Sequence, residues 1–441
     1  MPSVLPKDAE GQPFVACIID SQPLSKSHRP YIPVFSSEKQ KIVHFSQSVD
    51  ANTAVLAVES SWESFQTYQK TPTDERRRLL TKAAELFDSG ISDSMHRQMA
   101  ETSCNEDWAK MNANSMSVIY EELAAALGDL SNPVHDGRSI VMKEPIGPVL
   151  SIIPWNETFL EAGFPKGSVN LIISSRGTAA EITEAVISHP NLRKIEFIGS
   201  PVVGRAIGAM AAKYLKPTIM ELGDQSPLIV LEDANLRKAA QACAQGATLL
   251  RGQVCFSTER IIVVSSIKDK FYSLLKEAID AIPSAGFAVS NTFADKAYVA
   301  VQDALSRGAR LVAGSSQRLG PASISPSILA DVPRGSILSS QEGFSPIAFV
   351  VEVDNDEEAI AEANSREGGM SAAIFTNNRE RAIALGKELG FGMVQINDMT
   401  LAIKPSIKGP ATCTKGSGWG CASGKYGIEE FIHYKSITFG D

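Results

Sequence analysis

The sequence predicts an α/β fold with parallel sheets in more than one domain, and three observations carry that prediction. Short apolar strands alternate with helix-length amphipathic stretches along most of the chain after residue 169. At 441 residues the chain exceeds one ordinary core. Apolar residues at 44% and charged residues at 21% fit a globular enzyme.

The elements follow in order. Residues 49–68 (VDANTAVLAVESSWESFQTY) and 74–88 (DERRRLLTKAAELFD) place apolar residues at helical spacing, each behind an Asp able to cap the first turn. A third, polar-faced helix is expected over 92–128, followed by the turn-rich break 131–137 (SNPVHDG). From Ser139 to Ile153 the pattern SIVMKEPIGPVLSII alternates around a Pro-Ile-Gly break, which predicts two extended segments, the second apolar enough to be buried. Next come strand Val169 to Ser174, helix 178–188, strand Lys194 to Ile198, helix 202–214 and strand Ile219 to Leu222. The second half repeats the regime, with helix 234–249, strand Arg260 to Val264, helices 267–281 and 292–307, and strands Arg310 to Ala313 and Ile347 to Val353. The final stretch Phe431 to Phe439 alternates apolar and polar residues, a form that pairs with a sheet edge, often another subunit's.

Charge and cysteine usage exclude several classes. With 42 Lys+Arg against 50 Asp+Glu the net charge is -8, and no basic run interleaves with aromatics, so no nucleic-acid partner is expected. Apolar runs fall far short of the roughly 20 residues that span a bilayer, and residues 1–25 carry Asp8, Glu10 and Asp20 rather than a leader pattern. A cytoplasmic protein with no membrane contact is expected. Cys17, Cys104, Cys243, Cys255, Cys413 and Cys421 are scattered without a C-x-x-C pair, and the histidines lack ligand spacing, so neither disulfides nor a metal is expected.

Four local patterns can carry chemistry. Gly252-Gln253-Val254-Cys255 puts a thiol in a loop between a helix and a strand, where it can be exposed; as a residue type, cysteine is otherwise a small buried hydrophobe. Glu221 ends an apolar strand, where open α/β sheets place their sites, although ordinary solvated acids stand there too. Asn156, after Trp155, offers an amide that could donate to an oxyanion, or else belongs to a structural turn. Phe197-Ile198-Gly199-Ser200-Pro201-Val202-Val203-Gly204 is a strand, a glycine turn and a helix start whose free N–H groups suit a phosphate, or serve merely as a cap.

Taken in order, these patterns resemble the aldehyde dehydrogenase superfamily. The resemblance lies in Pro154-Trp155-Asn156, Phe197-Ile198-Gly199-Ser200, Glu221-Leu222-Gly223, Gly252-Gln253-Val254-Cys255, Glu342-Gly343-Phe344-Ser345-Pro346, Asn397-Asp398 and Lys415-Gly416-Ser417-Gly418-Trp419-Gly420, and runs from about residue 30 onward. The members directed at aromatic aldehydes, of the salicylaldehyde type, are the nearest in pattern. The resemblance implies a division of labour. Cys255 attacks the aldehyde, the Asn156 amide and the Cys255 N–H hold the oxyanion, hydride passes to NAD or NADP (NAD favoured), and Glu221 activates water to release the acid. It also implies that Glu342 holds the nicotinamide ribose with Phe344 beside it, that Gly199 and Ser200 contact the pyrophosphate, and that Val203 and Gly204 lie beside the adenine. Leu222 and Trp155 border the same groove.

The pattern departs from the family between Asn156 and Glu161-Ala162-Gly163-Phe164-Pro165, where only Glu157 to Leu160 intervene. The family carries a long helix and a strand ending in a Lys-Pro-Ser-Glu-like motif there; the deficit is on the order of 30 residues, about one βα unit. A smaller departure is Glu221-Leu222-Gly223-Asp224-Gln225, where a second glycine and a lysine are usual; an acid beside the proposed base would raise its pKa.

The expected architecture is therefore of the aldehyde dehydrogenase type. A Rossmann-like dinucleotide-binding domain spans 1–223 and lacks a βα unit near 157–160. A catalytic α/β domain spans 224–405, and a return segment spans 406–441. A small oligomerisation element joins the hairpin at 138–147 to the C-terminal strand, as in the dimers and tetramers of the family. The expected function is NAD(P)-dependent oxidation of a small-molecule aldehyde to an acid through a cysteine thioester. Two alternatives stand beside it: a catalytically impaired member acting as an interaction partner, and a cofactor-free thiol esterase. Thiol-protease chemistry is a poor rival, because no histidine falls in a motif with Cys255.

Overall fold

The computed structural model describes residues 7, 11, 13–25, 31–130, 134–135, 137–154, 164–283, 286–401 and 409–440. Trp155 and Asn156 therefore lie outside the described residues.

Helix α1 (Ala51–Tyr68) starts where its sequence says it should, since the Asp50 carboxylate accepts the Thr53 N–H at 2.7 Å. Helix α2 (Thr73–Thr102) departs from expectation twice. Asp74 does not cap it; Asp74 lies in the first turn and pairs with Arg77 at 2.7 Å. The helix also runs on through Asp88-Ser89-Gly90 to a left-handed Ser103, because Ala83, Ala84 and Phe87 are buried and tertiary packing outweighs one glycine. Helix α3 (Glu106–Leu130) follows.

Strand β1 (Ser139–Pro145) and β2 (Val149–Ile152) flank the predicted break. Helix α4 (Ala179–Ser188), β3 (Lys194–Ile198), α5 (Pro201–Lys213) and β4 (Thr218–Glu221) then build half of a four-stranded sheet. The second half of the chain holds β5 (Ser226–Val230), α6 (Leu236–Thr248), β6 (Thr258–Val264), α7 (Lys268–Asp280), α8 (Asn291–Ser306) and β7 (Arg310–Gly314). It continues through β8 (Ser327–Ala330), β9 (Ile347–Val353), β10 (Ser371–Phe375) and β11 (Met393–Ile396). Late in the chain, β12 (Gly418–Trp419) returns to the first sheet, and β13 (Ile432–Thr438) pairs antiparallel with β1 along its whole length.

The larger sheet has seven strands in the order β7-β8-β9-β6-β5-β10-β11. It is parallel except for β7. Its middle strands are apolar over most of their length because both faces are covered. Leu228, Val230, Ile261 and Val263 meet α6 and α7 residues such as Cys243 and Phe271 on one side, and Ile229, Ile262 and Ile374 meet Ile360 and Leu385 on the other.

The smaller sheet has four strands in the order β12-β4-β3-β2. Ile195, Phe197, Met220 and Leu222 form its core with Val58, Ile182, Val186 and Ile207. The expected strand Val169 to Ser174 is not part of it; Leu171 makes an isolated bridge to Ile18 instead. The expected burial of the second extended segment also fails, since Ser151 is exposed and the rest of β2 is only partly buried. Both departures have one physical reason. Among the described residues nothing pairs with the outer edge of β2, so a strand two places out has no neighbour to bond.

Candidate active site

Cys255 and Glu221 come from different sheets and meet. Glu221 is the last residue of β4, held between Ile198 of β3 and Gly418 of β12. Its carboxylate accepts a hydrogen bond from the Cys255 thiol. Burial pushes the Glu221 carboxyl above the ordinary carboxylate range, the thiol bond works against that rise, and the nearby Glu196 carboxylate adds to it. Asp224, the neighbour expected to raise it, is taken up elsewhere: its carboxylate accepts from Gln225 N, Ser226 Oγ, Met370 N and Ser371 N at 2.8 to 3.1 Å.

The thiol loop is fixed at both ends. Leu250, Arg251 and Gly252 are consecutively left-handed, with φ of 47, 59 and 70°. A Cβ on Gly252 would lie 1.9 Å from the Ser345 carbonyl oxygen, so only glycine passes there. The buried Gln253 amide donates to Leu250 O and accepts from Val289 N, each at 2.9 Å. Arg251 donates to the carbonyls of Pro283 and Ile324. Cys255 itself stays partly exposed, whereas Cys17, Cys104 and Cys243 are buried. Burial pushes the Cys17 thiol up to about 11 and the Cys413 thiol up to about 12, the latter with help from Glu221 and Asp224. Cys104 and Cys243 are raised by burial as well.

The expected cofactor residues sit around the ends of β3 and β4. Gly199 N–H donates to Glu221 O at 2.9 Å, and the Ser200 hydroxyl, exposed at the N-cap of α5, accepts from Val203 N. Val203 is exposed, while Gly204 is buried with its Cα against Leu222, where a Cβ would lie 2.3 Å from the Leu222 side chain. Gly204 and Leu222 thus spend their surface on seating α5 on β4. Glu342 lies across the strand end: its carboxylate oxygens would come within 2.5 and 2.7 Å of a Cβ on the left-handed Gly223. Phe344 follows at φ 45°, its ring 5.9 Å from that of Phe293. Trp155 and Asn156 lie outside the described residues, so the structure places neither of them.

These residues fit a nicotinamide dinucleotide at one end of the groove. A helix N-terminus with an exposed N-cap serine suits the pyrophosphate, and Glu342 offers a carboxyl suited to ribose hydroxyls.

The chain's motifs match the aldehyde dehydrogenase family profile over residues 24–160 and 156–437. The chain belongs to the aldehyde dehydrogenase family. Aldehyde oxidation with NAD(P) is accordingly its reaction. The salicylaldehyde dehydrogenase of Pseudomonas putida is 29% identical to it over 449 positions, covering 90% of this chain and 92% of the relative. The vanillin dehydrogenase of Pseudomonas fluorescens is 30% identical, covering 88% and 89%. The crystal structure of a salicylaldehyde dehydrogenase from Pseudomonas putida G7 complexed with salicylaldehyde superposes with a TM-score of 0.91 at 27% identity, covering 97% of this chain and 98% of that one. The two matched stretches of this aldehyde dehydrogenase meet at residues 156–160, where its sequence departs from the family pattern.

Three charged residues close to the site escaped the sequence reading. Glu196 reaches Glu221 electrostatically and accepts from Ser151 Oγ at 2.8 Å. Glu259 and Arg260 are 3% and 0% exposed inside an otherwise apolar central strand. Two charges in a buried parallel strand are unusual enough to have been a signal.

Proposed function

We propose that this enzyme oxidises an aromatic aldehyde through a thioester on Cys255, with NAD as the favoured cofactor. The observation that carries the reading is the hydrogen bond from the Cys255 thiol to Glu221, which sets a nucleophile against a base at a strand end. The relatives named for salicylaldehyde and vanillin support the aromatic substrate class.

The thiol proton passes to Glu221 and the sulfur adds to the aldehyde carbon, sending the carbonyl electron pair onto oxygen. The Cys255 N–H and the Asn156 amide hold that oxyanion, the second on the strength of the family motif. A bound nicotinamide supplies the acceptor for the hydride that leaves the carbon. Glu221, having released its proton, then takes one from water; the hydroxide adds to the thioester, and collapse expels the Cys255 thiolate with the carboxylic acid. Gly199, Ser200 and Val203 would line the dinucleotide, Glu342 would hold the nicotinamide ribose and Phe344 would lie beside it, with Leu222, Gly204 and Trp155 shaping the groove. Residues 1–223 serve as the dinucleotide-binding domain and 224–405 as the catalytic domain, with 406–441 returning across both. β1 and β13 form the oligomerisation element of a homodimer or homotetramer.

The test is Glu221→Gln followed by pre-steady-state kinetics with a p-nitrophenyl ester. At alkaline pH, where the thiol ionises without a base, only the water step still needs Glu221; a general base contributes roughly 10²- to 10⁴-fold to the step it serves, so acyl-enzyme should there accumulate after an intact burst. Equal loss in burst and turnover would make Glu221 structural and overturn the assignment.

A further inference from the structure

The segment that presents Glu342 and Phe344 is not held by neighbouring loops alone. Glu259 reaches it from inside β6. Its Oε1 and Oε2 each accept the Gly343 N–H at 2.9 Å, and Oε1 also accepts the Phe344 N–H at 2.9 Å. From the residue just before β5, the side-chain amide of Gln225 donates to the carbonyls of Gln341 at 2.6 Å and Leu338 at 3.1 Å, and to Glu259 Oε2 at 3.3 Å. Two buried side chains therefore bracket one turn, Gln225 taking its carbonyls and Glu259 its N–H groups. The turn needs such a bracket, because Phe344 is a non-glycine residue at φ 45°, a conformation that costs of order 1–3 kcal/mol unless its surroundings hold it.

We propose that Glu259, braced by Gln225, is the positioning residue that fixes the Glu342–Phe344 turn for cofactor binding; the functional part of this inference rests on the reading of Glu342 as the ribose ligand. Charge supports the arrangement. Burial pushes the Glu259 carboxyl up to about 7 against the pull of its three donors, and burial together with Glu259 itself holds Glu342 well above the carboxylate range. Among the described residues Glu342 has a single backbone donor, Asp224 N at 3.3 Å, against the two that Glu259 holds, so within this pair the proton sits on Glu342 and the charge on Glu259. The charged member is the one that grips the turn, and the neutral carboxyl it presents can donate to a ribose hydroxyl.

The experiment compares Glu259→Ala, Glu259→Gln and Glu342→Ala with the parent chain. Hydrogen exchange should show the Gly343 and Phe344 amides at least tenfold faster in E259A. E259Q, which keeps one acceptor oxygen, should lie between it and the parent. Amides of Ile261 to Val264 and p-nitrophenyl ester hydrolysis by Cys255 should be unchanged within twofold. Unaltered exchange at Gly343 and Phe344 in E259A, or in E259Q should the alanine variant not fold, would overturn the positioning role. NAD titration then separates the two ideas. E342A and E259A should both weaken binding. Weakening by E342A alone would refute the positioning role while leaving the ribose ligand in place. No effect of E342A would refute the ribose reading, with the exchange data still deciding what Glu259 does.

Discussion

In the seven-stranded sheet every residue of β5, β6 and β10 is buried, and helices cover both faces. Among the described residues, β3 and β4 of the four-stranded sheet have strands on both sides, whereas β2 keeps Ser151 exposed and bonds a neighbour on one edge. The thiol loop is anchored to the first sheet and the expected dinucleotide groove to the second. On the proposed assignments, the nucleophile is carried by a finished layer and the cofactor by one whose outer flank has no partner among the described residues. On those assignments the two halves of a dehydrogenase need not fail together: acyl chemistry at Cys255 would depend on β6 and its loop, and hydride transfer on what borders β2.

The sharpest break would come from the finished half. Cys255→Ala should lower both aldehyde oxidation and p-nitrophenyl acetate hydrolysis by roughly 10⁴-fold or more, as losing a nucleophile does. Peptide mapping after brief iodoacetamide treatment of the native parent should find Cys255 alkylated first. Faster labelling of Cys104 or Cys413 would show that the partly exposed thiol beside Glu221 is not the reactive one.

A smaller effect is expected from the open half. NAD should bind this chain more weakly than it binds a family member carrying the lysine for the adenosine ribose. That charge-assisted bond is worth about 1.5 to 3 kcal/mol, roughly ten- to a hundredfold in affinity. Calorimetric titration, run beside benzaldehyde oxidation and ester hydrolysis, measures it. Micromolar binding with full turnover would erase the contrast between the sheets.

The smallest effect links the two halves through charge. Glu221 must be ionised to take a proton, and its raised pKa means that ester turnover falls as pH drops through a value above the ordinary 4.5. Glu196 contributes part of that rise from β3, so Glu196→Gln should move the acid limb of the turnover profile to lower pH. An unmoved limb would mean that burial alone sets it.

How much of this was readable beforehand depended on range. The helices at 178–188 and 267–281 and the strands at 194–198 and 347–353 carry their period locally and stand close to where the sequence put them. Ser226–Val230 and Ser371–Phe375 were missed, because so short a buried run has no period of its own and only the long-range pairing of β5 with β6 and β10 makes them strands. At the site, motifs gave Cys255, Glu221 and Glu342 their positions in the chain. The meeting of the Cys255 loop with Glu221, and the grip of Glu259 on the Glu342 turn, are contacts between distant segments of the chain that no spacing encodes.

Strand β12 pairs Gly418 with Glu221 and Trp419 with Met220, where a Cβ on Gly418 would lie 2.1 Å from the Met220 carbonyl oxygen. During synthesis, at roughly 5–20 residues per second, the ribosome needs on the order of 10 to 40 s to travel from Glu221 to Gly418. For that interval one edge of β4 waits with its amides and carbonyls open to any passing strand, while the whole seven-stranded sheet is being made. The half of the molecule that is translated first is therefore among the last to close, and a nascent chain stalled before residue 418 would present a nearly complete thiol layer joined to an unsealed one.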